Sequence, residues 1–137
     1  MDWVVDCSFA LALCLPDAGS MHAERLLVKV RSAVFWVPSL WWYELANAIA
    51  VARTRQRLDE AEVVQACEQL GTLPCETDLA IGWDIVRRLY ELSRHYRLSC
   101  YDAAYLELAQ RRRLGLVTLD RRLNAAARDA GLKTAVG

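Results

Sequence analysis

Four acidic side chains lie where one chain could assemble a single metal site: Asp6, Glu44, Asp102 and Asp120. Asp6 ends the apolar run at residues 3–5, and Asp120 ends the run Leu116–Leu119. Asp102 opens a predicted helix, and Glu44 lies inside another. A carboxylate beside a buried strand costs free energy unless a partner compensates it. A cation held by oxygen ligands is such a partner, and it indicates phosphate chemistry.

Each of these acids also has a structural interpretation. Asp102 could serve only as a first-turn helix acid, and Asp120 only as the N-cap of the helix that follows it. Glu44 could form a surface ion pair with an arginine. Asp6 is the hardest to explain in this way, because it follows a buried strand and no partner is evident nearby in the sequence.

The composition predicts one ordinary domain, which we take as residues 1–137. Of these 137 residues, 55% are hydrophobic and 25% are charged, which suffices for a single core. The formal net charge of +0 argues against a generally basic nucleic-acid binder. However, residues 87–137 carry 11 Lys and Arg and 5 Asp and Glu, a net of +6, and residues 1–86 a net of −6. This asymmetry indicates either a surface for an anionic partner or solvated helix faces.

The cysteines and the N-terminus favour a cytoplasmic protein. The five cysteines are scattered and form no zinc-like pattern, so we expect reduced, buried thiols. The apolar N-terminal run lacks a basic leader and is interrupted by Asp6. It is also too short to span a bilayer, so we predict a strand followed by a helix and no membrane association.

Strands and helices alternate along the sequence. The predicted strands are Trp3–Asp6, Val34–Val37, Leu73–Glu76 and Leu116–Leu119, with a last short one at Thr134–Val136. The predicted helices are Ser8–Leu15, Ser20 to about Arg31, Leu40 to about Arg55 with Ser39 as N-cap, Asp59 to Gly71, Leu79 to about Tyr96, Ser99 to about Arg113 where Gly115 ends it, and Asn124–Ala130. This alternation predicts an α/β fold of three α/β/α layers around a mostly parallel sheet of 4–5 short strands. Ligands bind such sheets beyond the carboxyl ends of the strands, where Asp6 and Asp120 fall.

Four short motifs follow one another along the chain: Asp6-Cys7-Ser8, Pro38 with Glu44 and Asn47, residues 98–106 around Asp102, and Thr118 to Asp120. In order and spacing they resemble the motifs of PIN domains, over essentially the whole chain. Among these, a compact chain of this length most resembles VapC, the toxin half of bacterial toxin–antitoxin pairs. The resemblance therefore implies a PIN-like fold.

The resemblance also implies a metal-dependent endoribonuclease that cleaves RNA with a metal-activated water. Mg²⁺ or Mn²⁺ suits a site made of carboxylates. We expect Asp6 and Asp102 to be the most direct ligands, with Glu44 and Asp120 completing the site directly or through water. A second metal could stabilise the leaving oxygen.

Five further residues are candidates for orienting ligands or contacting RNA. Ser8, Asn47 and Thr118 could orient the acids or contact phosphate, or could make ordinary capping hydrogen bonds. Arg121 and Arg122 follow Asp120 directly and could hold RNA phosphates, or could lie on a solvated helix end.

Other conspicuous residues are assigned less directly. Arg111–Arg113 could also contact RNA. Trp41 and Trp42 could stack on bases, but core packing or a dimer interface is the favoured interpretation. His22 and His95 match no motif, and we interpret both as structural or surface residues.

The predicted partners are an RNA substrate and, by resemblance, a small antitoxin that blocks the site, with DNA bound only through that antitoxin. Homodimerisation is also expected by resemblance. Two alternatives share the fold: a housekeeping RNA-processing nuclease, and a catalytically silent scaffold that binds a partner. A phosphotransfer receiver domain is set aside because the only lysines, Lys29 and Lys133, do not end a predicted core strand.

Overall fold

The computed structural model describes residues 1–16, 18–30 and 34–136. Within these ranges the strands are β1 (Trp3–Val5), β2 (Phe35–Pro38), β3 (Cys75–Asp78) and β4 (Gly115–Val117). The helices in the same ranges are α1 (Cys7–Ala12), α2 (Ala18–Val30), α3 (Ser39–Thr54), α4 (Glu60–Leu70), α5 (Trp83–Tyr96), α6 (Cys100–Arg112) and α7 (Arg121–Asp129).

The strands of the described residues form one parallel sheet in the order β3-β2-β1-β4. Val4 of the inner strand β1 pairs with Trp36 on one side and with Leu116 on the other. The chain moves from β1 to β2 to β3 in one direction and then crosses to β4 on the far side of β1. The strand order therefore reverses between β1 and β4, which is where open α/β sheets bind ligands.

Helices cover the sheet, as the three-layer prediction requires. Helix α1 packs against α2 and α3, whereas α6 packs against α5 and α7 and lies over β1, β2 and β4. Right-handed crossovers place the two groups of helices on opposite faces when the strand order reverses. Val4, Val5 and Val117 are fully buried between these layers, so β1 and β4 are apolar on both faces. The predicted α/β class and parallel sheet are confirmed.

The polar caps of two helices are confirmed. Asp59 and Glu62 form a capping box: the Glu62 amide donates to Asp59 Oδ1 at 2.8 Å, and the Asp59 amide donates to Glu62 Oε1 at 3.0 Å. Ser99 caps α6 by accepting the Asp102 amide at 3.0 Å. The prediction of Ser39 as the N-cap of α3 was wrong, because Ser39 is already helical and Pro38 occupies the N-cap position.

The start of α2 was also misplaced. This helix begins at Ala18, so Ser20 lies within its first turn rather than capping it. Its predicted end near Arg31 falls outside the described residues.

The third strand and the helix after it both begin later than predicted. β3 runs to Asp78, two residues beyond the predicted end, and α5 begins only at Trp83. Gly82 precedes α5 with φ 129°, a conformation that a helix cannot contain and that favours glycine. The apolar residues Leu79 and Ile81, which suggested a helix, lie exposed in the connection.

The prediction that Gly115 ends α6 was wrong, because Gly115 is the first residue of β4. The helix ends at Arg112, and Arg113 caps it in the left-handed conformation with φ 57°. A Cβ at position 115 would stand 2.5 Å from the Trp3 ring, so the close packing of β1 against β4 requires glycine there. Packing, rather than a helix end, therefore explains this glycine.

Two C-terminal elements also differ from their predictions. α7 begins at Arg121, three residues before the predicted start at Asn124, because Asp120 caps it. The region Thr134–Val136 is not a strand, since only Thr134 forms a single parallel bridge, with Leu116.

All five cysteines are free thiols, which confirms the absence of a disulfide framework. None is fully buried, however: Cys67 and Cys100 are exposed, and the prediction of burial was wrong for them. Among the described helices, none is both long and apolar enough to cross a membrane.

Candidate active site

Asp6 joins the ends of β1 and β4 at the reversal of strand order. Its amide donates to the carbonyl of Val117 at 3.2 Å, and its side chain caps α1 by accepting the Phe9 amide at 3.2 Å. Asp6 therefore has a structural role as an N-cap, and its functional role stays a prediction.

Two hydroxyls hold the Asp6 carboxylate. Ser8 Oγ donates to Asp6 Oδ1 at 2.8 Å, and Thr118 Oγ1 donates to Asp6 Oδ2 at 2.6 Å. The same hydroxyls accept backbone amides from the other side of the site, Ser8 from Leu119 at 3.0 Å and Thr118 from Asp120 at 2.9 Å. Ser8 and Thr118 therefore hold the Asp6 carboxylate in place, and their predicted role in the reaction stays a prediction.

Burial makes the Asp6 carboxylate costly despite these hydrogen bonds. Its side chain is only 6% exposed, and burial, with a smaller contribution from the charge of Asp120, raises its pKa to about 6. The hydrogen bonds from Thr118, Ser8 and Phe9 oppose this rise in pKa. A carboxylate can accept about four hydrogen bonds, so acceptor capacity for a cation remains.

Asp120 is the exposed acid of the set. Its Oδ1 caps α7 by accepting the Leu123 amide at 2.9 Å. Its Oδ2 accepts no hydrogen bond from the residues that the structure describes. The carboxylate therefore presents one oxygen to solvent beside Asp6.

Glu44 is held by a residue that the sequence did not reveal. Half-buried on α3, it accepts a short hydrogen bond from the hydroxyl of Tyr105, a residue only 1% exposed on α6. Burial, followed by the charge of Asp102, raises the pKa of Glu44 above its usual range. Tyr105 lies three residues after Asp102 and thus on the same helix face, which is the one sequence signal that could have identified it.

Asp102 lies in the first turn of α6, fixed by the Ser99 cap described above. It is half-buried, and burial together with the charge of Asp120 raises its pKa. The charges of the acids thus act on one another's pKa values: Asp120 on Asp6 and on Asp102, and Asp102 on Glu44.

The four acids face one region but do not form a closed cage. Within the described residues, no three Asp, Glu, His or Cys side chains converge tightly enough to hold a metal ion by themselves. Mg²⁺ keeps several waters and binds through one or two carboxylates, so a loose ring of oxygen donors fits it. Cys7 lies among the acids, but burial and the charges of Glu44 and Asp6 raise its pKa to about 12, so it is a neutral thiol. The donor set therefore suits a hard cation better than zinc.

The remaining predicted residues lie on the surface around the acids. Asn47 is exposed on α3, three residues after Glu44 and on the same face. Arg121 and Arg122 are exposed in the first turn of α7, next to Asp120. The roles predicted for these three residues stay predictions.

Asp78 is a further acid at a strand end, and the sequence analysis did not identify it. Asp78 ends β3, is 5% exposed, and accepts from Arg111 at 2.8 and 2.9 Å and from Arg112 at 2.7 Å. These hydrogen bonds hold the pKa of Asp78 well below its usual range. Arg111 also contacts Glu107 at 2.8 Å, and the guanidinium of Arg112 lies 3.7 Å from the Trp36 ring centroid. Two arginines of the 111–113 cluster are thus structural.

The adjacent tryptophans have different environments. Trp41 is 3% exposed and belongs to the core, in agreement with the favoured interpretation. Trp42 is 49% exposed, stacks edge-on against Trp41 at 4.8 Å, and donates its indole N–H to Thr77 at 2.9 Å. Whether Trp42 contacts bases stays a prediction.

Comparison with known proteins places this architecture in a family. Residues 3–129 match the PIN domain family. Ribonuclease VapC3 of Pyrobaculum aerophilum is 30% identical over 123 residues, which is 90% of this chain and 92% of that protein. Ribonuclease VapC9 of Mycobacterium tuberculosis is 33% identical over 121 residues, covering 88% of this chain and 87% of that protein.

Solved structures agree with the fold. A crystal structure of a Pyrobaculum aerophilum protein aligns with a TM-score of 0.70 and 24% identity, covering 98% of this chain and 84% of that one. The sarcin-ricin loop cleaving toxin VapC20 of Mycobacterium tuberculosis aligns with a TM-score of 0.65 and 23% identity, covering 91% of this chain and 95% of the toxin. With the parallel sheet and the ordered motifs, these matches lead to one conclusion: the chain belongs to the PIN domain family and is of the VapC type.

Proposed function

We propose that this chain is a metal-dependent endoribonuclease and the toxin of a type II toxin–antitoxin pair. Its relatives named as VapC ribonucleases support the activity, and a Klebsiella pneumoniae toxin–antitoxin complex with a TM-score of 0.58 and 21% identity resembles its fold. The observation that carries the proposal is the set of electrostatically coupled carboxylates at the reversal of strand order.

In this proposal each acid has a stated role. Asp6 and Asp102 are the most direct ligands of Mg²⁺ or Mn²⁺, and Glu44 and Asp120 complete the site directly or through water. The cation would activate a water for attack on the RNA phosphodiester and offset charge on the leaving oxygen.

The chain's own residues hold these acids in place. Thr118 and Ser8 orient the two oxygens of Asp6, and Tyr105 fixes one oxygen of Glu44. The Ser99 cap fixes the first turn of α6, which carries Asp102, and Asp120 itself caps α7. Such hydrogen bonds to ligating side chains tune metal affinity and activity.

The proposed partner is a small antitoxin that covers the acids, in a cytoplasmic complex. Growth arrest on expression, relieved by a neighbouring small protein, would favour the toxin over a housekeeping nuclease. Homodimerisation stays a prediction.

The test is cleavage of single-stranded RNA by the purified chain with Mg²⁺ or Mn²⁺, and its loss with EDTA. Asp102→Asn should lower kcat/KM by at least about 100-fold, because it removes a proposed ligand charge. Asp84→Asn is the matched control, since Asp84 is an exposed acid on α5 that forms an ion pair with Arg87. Thermal unfolding should show that both variants remain folded. Cleavage by Asp102→Asn at the rate of wild type would overturn the proposal.

A further inference from the structure

A depression that contains two arginines lies between α5 and α7, and none of the four acids of the candidate site lines it. Its volume is about 490 Å³, and its lining includes His95, Tyr96 and Arg97 at the end of α5 and Arg122 and the acid Asp129 on α7. This volume falls in the range of small-ligand sites and suffices for one nucleotide. Two of the 11 Lys and Arg of residues 87–137 line the depression, beside one acid.

The cationic groups of the depression have no internal partner. Among the described residues, Arg97 and Arg122 form no ion pair, in contrast to Arg111 and Arg112, which hold the buried Asp78. Arg122 also stands in the first turn of α7, where the positive end of the helix dipole disfavours a cation. An arginine that is unpaired and unfavourably placed contributes little to the fold, so an external anion is its natural partner.

Short segments of the chain connect the depression to the proposed reaction centre. Arg97 stands two residues before Ser99, which caps the helix that bears Asp102. Arg122 stands two residues after Asp120. Because two residues span at most about 7 Å, both arginine backbones lie close to the helix starts that carry these acids.

The wall of the depression is aromatic. The rings of His95 and Tyr96 meet edge to face, with centroids 4.5 Å apart. Half-exposed aromatic rings beside cations are typical of single-stranded RNA sites, where bases stack and phosphates are paired. The combination of unpaired arginines and aromatic rings therefore favours RNA.

We infer that this depression is a substrate subsite, in which Arg97 and Arg122 bind a phosphate next to the scissile one and Tyr96 packs against a base. The inference rests on the proposed ribonuclease function. It assigns binding rather than chemistry to these residues, and it gives His95 a contact with RNA, whereas the sequence analysis interpreted it as a structural or surface residue.

The test compares Arg97→Ala and Arg122→Ala with wild type on one short single-stranded RNA of mixed sequence. Each variant should raise KM about 3- to 10-fold, as expected for one partly exposed charged contact, with kcat nearly unchanged. The slope of log affinity against log salt should fall by about 0.7 per arginine for a single strand. Arg122→Lys should restore most of the affinity. Arg94→Ala is the control, because Arg94 is equally exposed in the last turn of α5 but does not line the depression.

Asp129→Asn tests the sign of the effect. Removal of the only acid in the lining should lower KM, since it removes repulsion of the phosphate. Unchanged KM and salt slope in both arginine variants, or a fall in kcat alone, would overturn the inference. Loss of binding to a partner protein with unchanged RNA kinetics would also overturn it.

A direct binding measurement separates this inference from the proposed function. Fluorescence anisotropy of the same labelled RNA reports binding whether or not the chain cleaves it. If wild type binds but never cleaves, the nuclease proposal fails and the arginine variants still decide the subsite. If wild type cleaves and the variants bind as tightly as wild type, only the subsite fails.

Discussion

Thr118 contacts two of the four acids through one oxygen atom. Its hydroxyl donates to Asp6 Oδ2 and accepts the amide of Asp120, and the side chain is only 1% exposed. A hydroxyl that serves two partners in a buried position is difficult to replace, because each partner loses a hydrogen bond at once. Thr118 therefore couples the end of β4 to the acid at the end of β1.

Thr118→Val retains the shape of this side chain but removes the hydroxyl. We expect kcat/KM for RNA cleavage to fall about 10- to 100-fold, because Asp6 loses the group that orients it. The apo protein should also lose about 1–3 kcal/mol of stability in urea unfolding, because buried polar groups are left unpaired. Thr118→Ser keeps the hydroxyl and should remain close to wild type in activity. Equal activity of the valine and serine variants would refute this role.

The sequence predicted the acids but not all of their partners. Asp6, Ser8 and Thr118 are within a few residues of strand ends, so local patterns reveal them. Tyr105 is different, because its contact with Glu44 exists only once α3 and α6 meet across 61 positions of sequence. Apart from the three-residue spacing from Asp102, nothing in the sequence around Tyr105 indicates that its hydroxyl points at a carboxylate.

Among the described strands, β3 is the least buried, and an ion cluster joins its end to α6. Asp78 is the buried member, and Arg111 and Arg112 of α6 are about one-third exposed, with side-chain exposures of 36% and 37%. Breaking a buried pair by removing one charge is strongly destabilising, and partial exposure of the arginines reduces the cost. This contact therefore contributes to the docking of the edge strand.

Asp78→Asn should lower the free energy of unfolding by about 1–3 kcal/mol. Because the arginines hold the pKa of Asp78 below its unfolded value, its contribution is present above that value and is lost as the pH falls below about 4. Urea unfolding at several pH values should therefore show a smaller acid loss in the variant than in wild type. Asp84→Asn, at an exposed pair with Arg87, should change stability by less than about 1 kcal/mol. Equal effects of the two substitutions would contradict the prediction.

Element type was more predictable than element boundaries, for physical reasons. The polar caps Asp59 and Ser99 are local signals, and their helices begin where the sequence indicates. Gly115 misled because glycine ends helices and also permits close packing, and only the position of the Trp3 ring distinguishes the two. The exposed apolar residues before α5 misled because hydrophobicity alone does not report the backbone at Gly82.

At the scale of the whole molecule, ionisation of the buried acids destabilises the fold, and either a proton or a bound cation offsets this cost. Burial raises the pKa values of Glu44 and Asp102, and that of Asp6 from 3.8 to about 6. A change of one pKa unit corresponds to about 1.4 kcal/mol. Ionisation of Asp6 alone therefore lowers the free energy of unfolding of the metal-free protein by up to about 3 kcal/mol. The other two acids act in the same direction.

We therefore expect Mg²⁺ or Mn²⁺ to raise the Tm at about pH 8 and to have little effect at about pH 5. The raised pKa of Asp6 stabilises the metal-free fold below its unfolded value of 3.8, and this contribution is lost as the pH rises through about 6. Protons and the cation thus compete for the same oxygens, so acid should stabilise the metal-free protein while weakening the metal effect. Thermal unfolding with metal or with EDTA at both pH values measures this, in a window above the titration of Asp78. Asp6→Asn should reduce both the metal response and the pH response, whereas Asp84→Asn should retain them. A metal-induced rise in Tm of equal size at both pH values would show that the cation binds elsewhere.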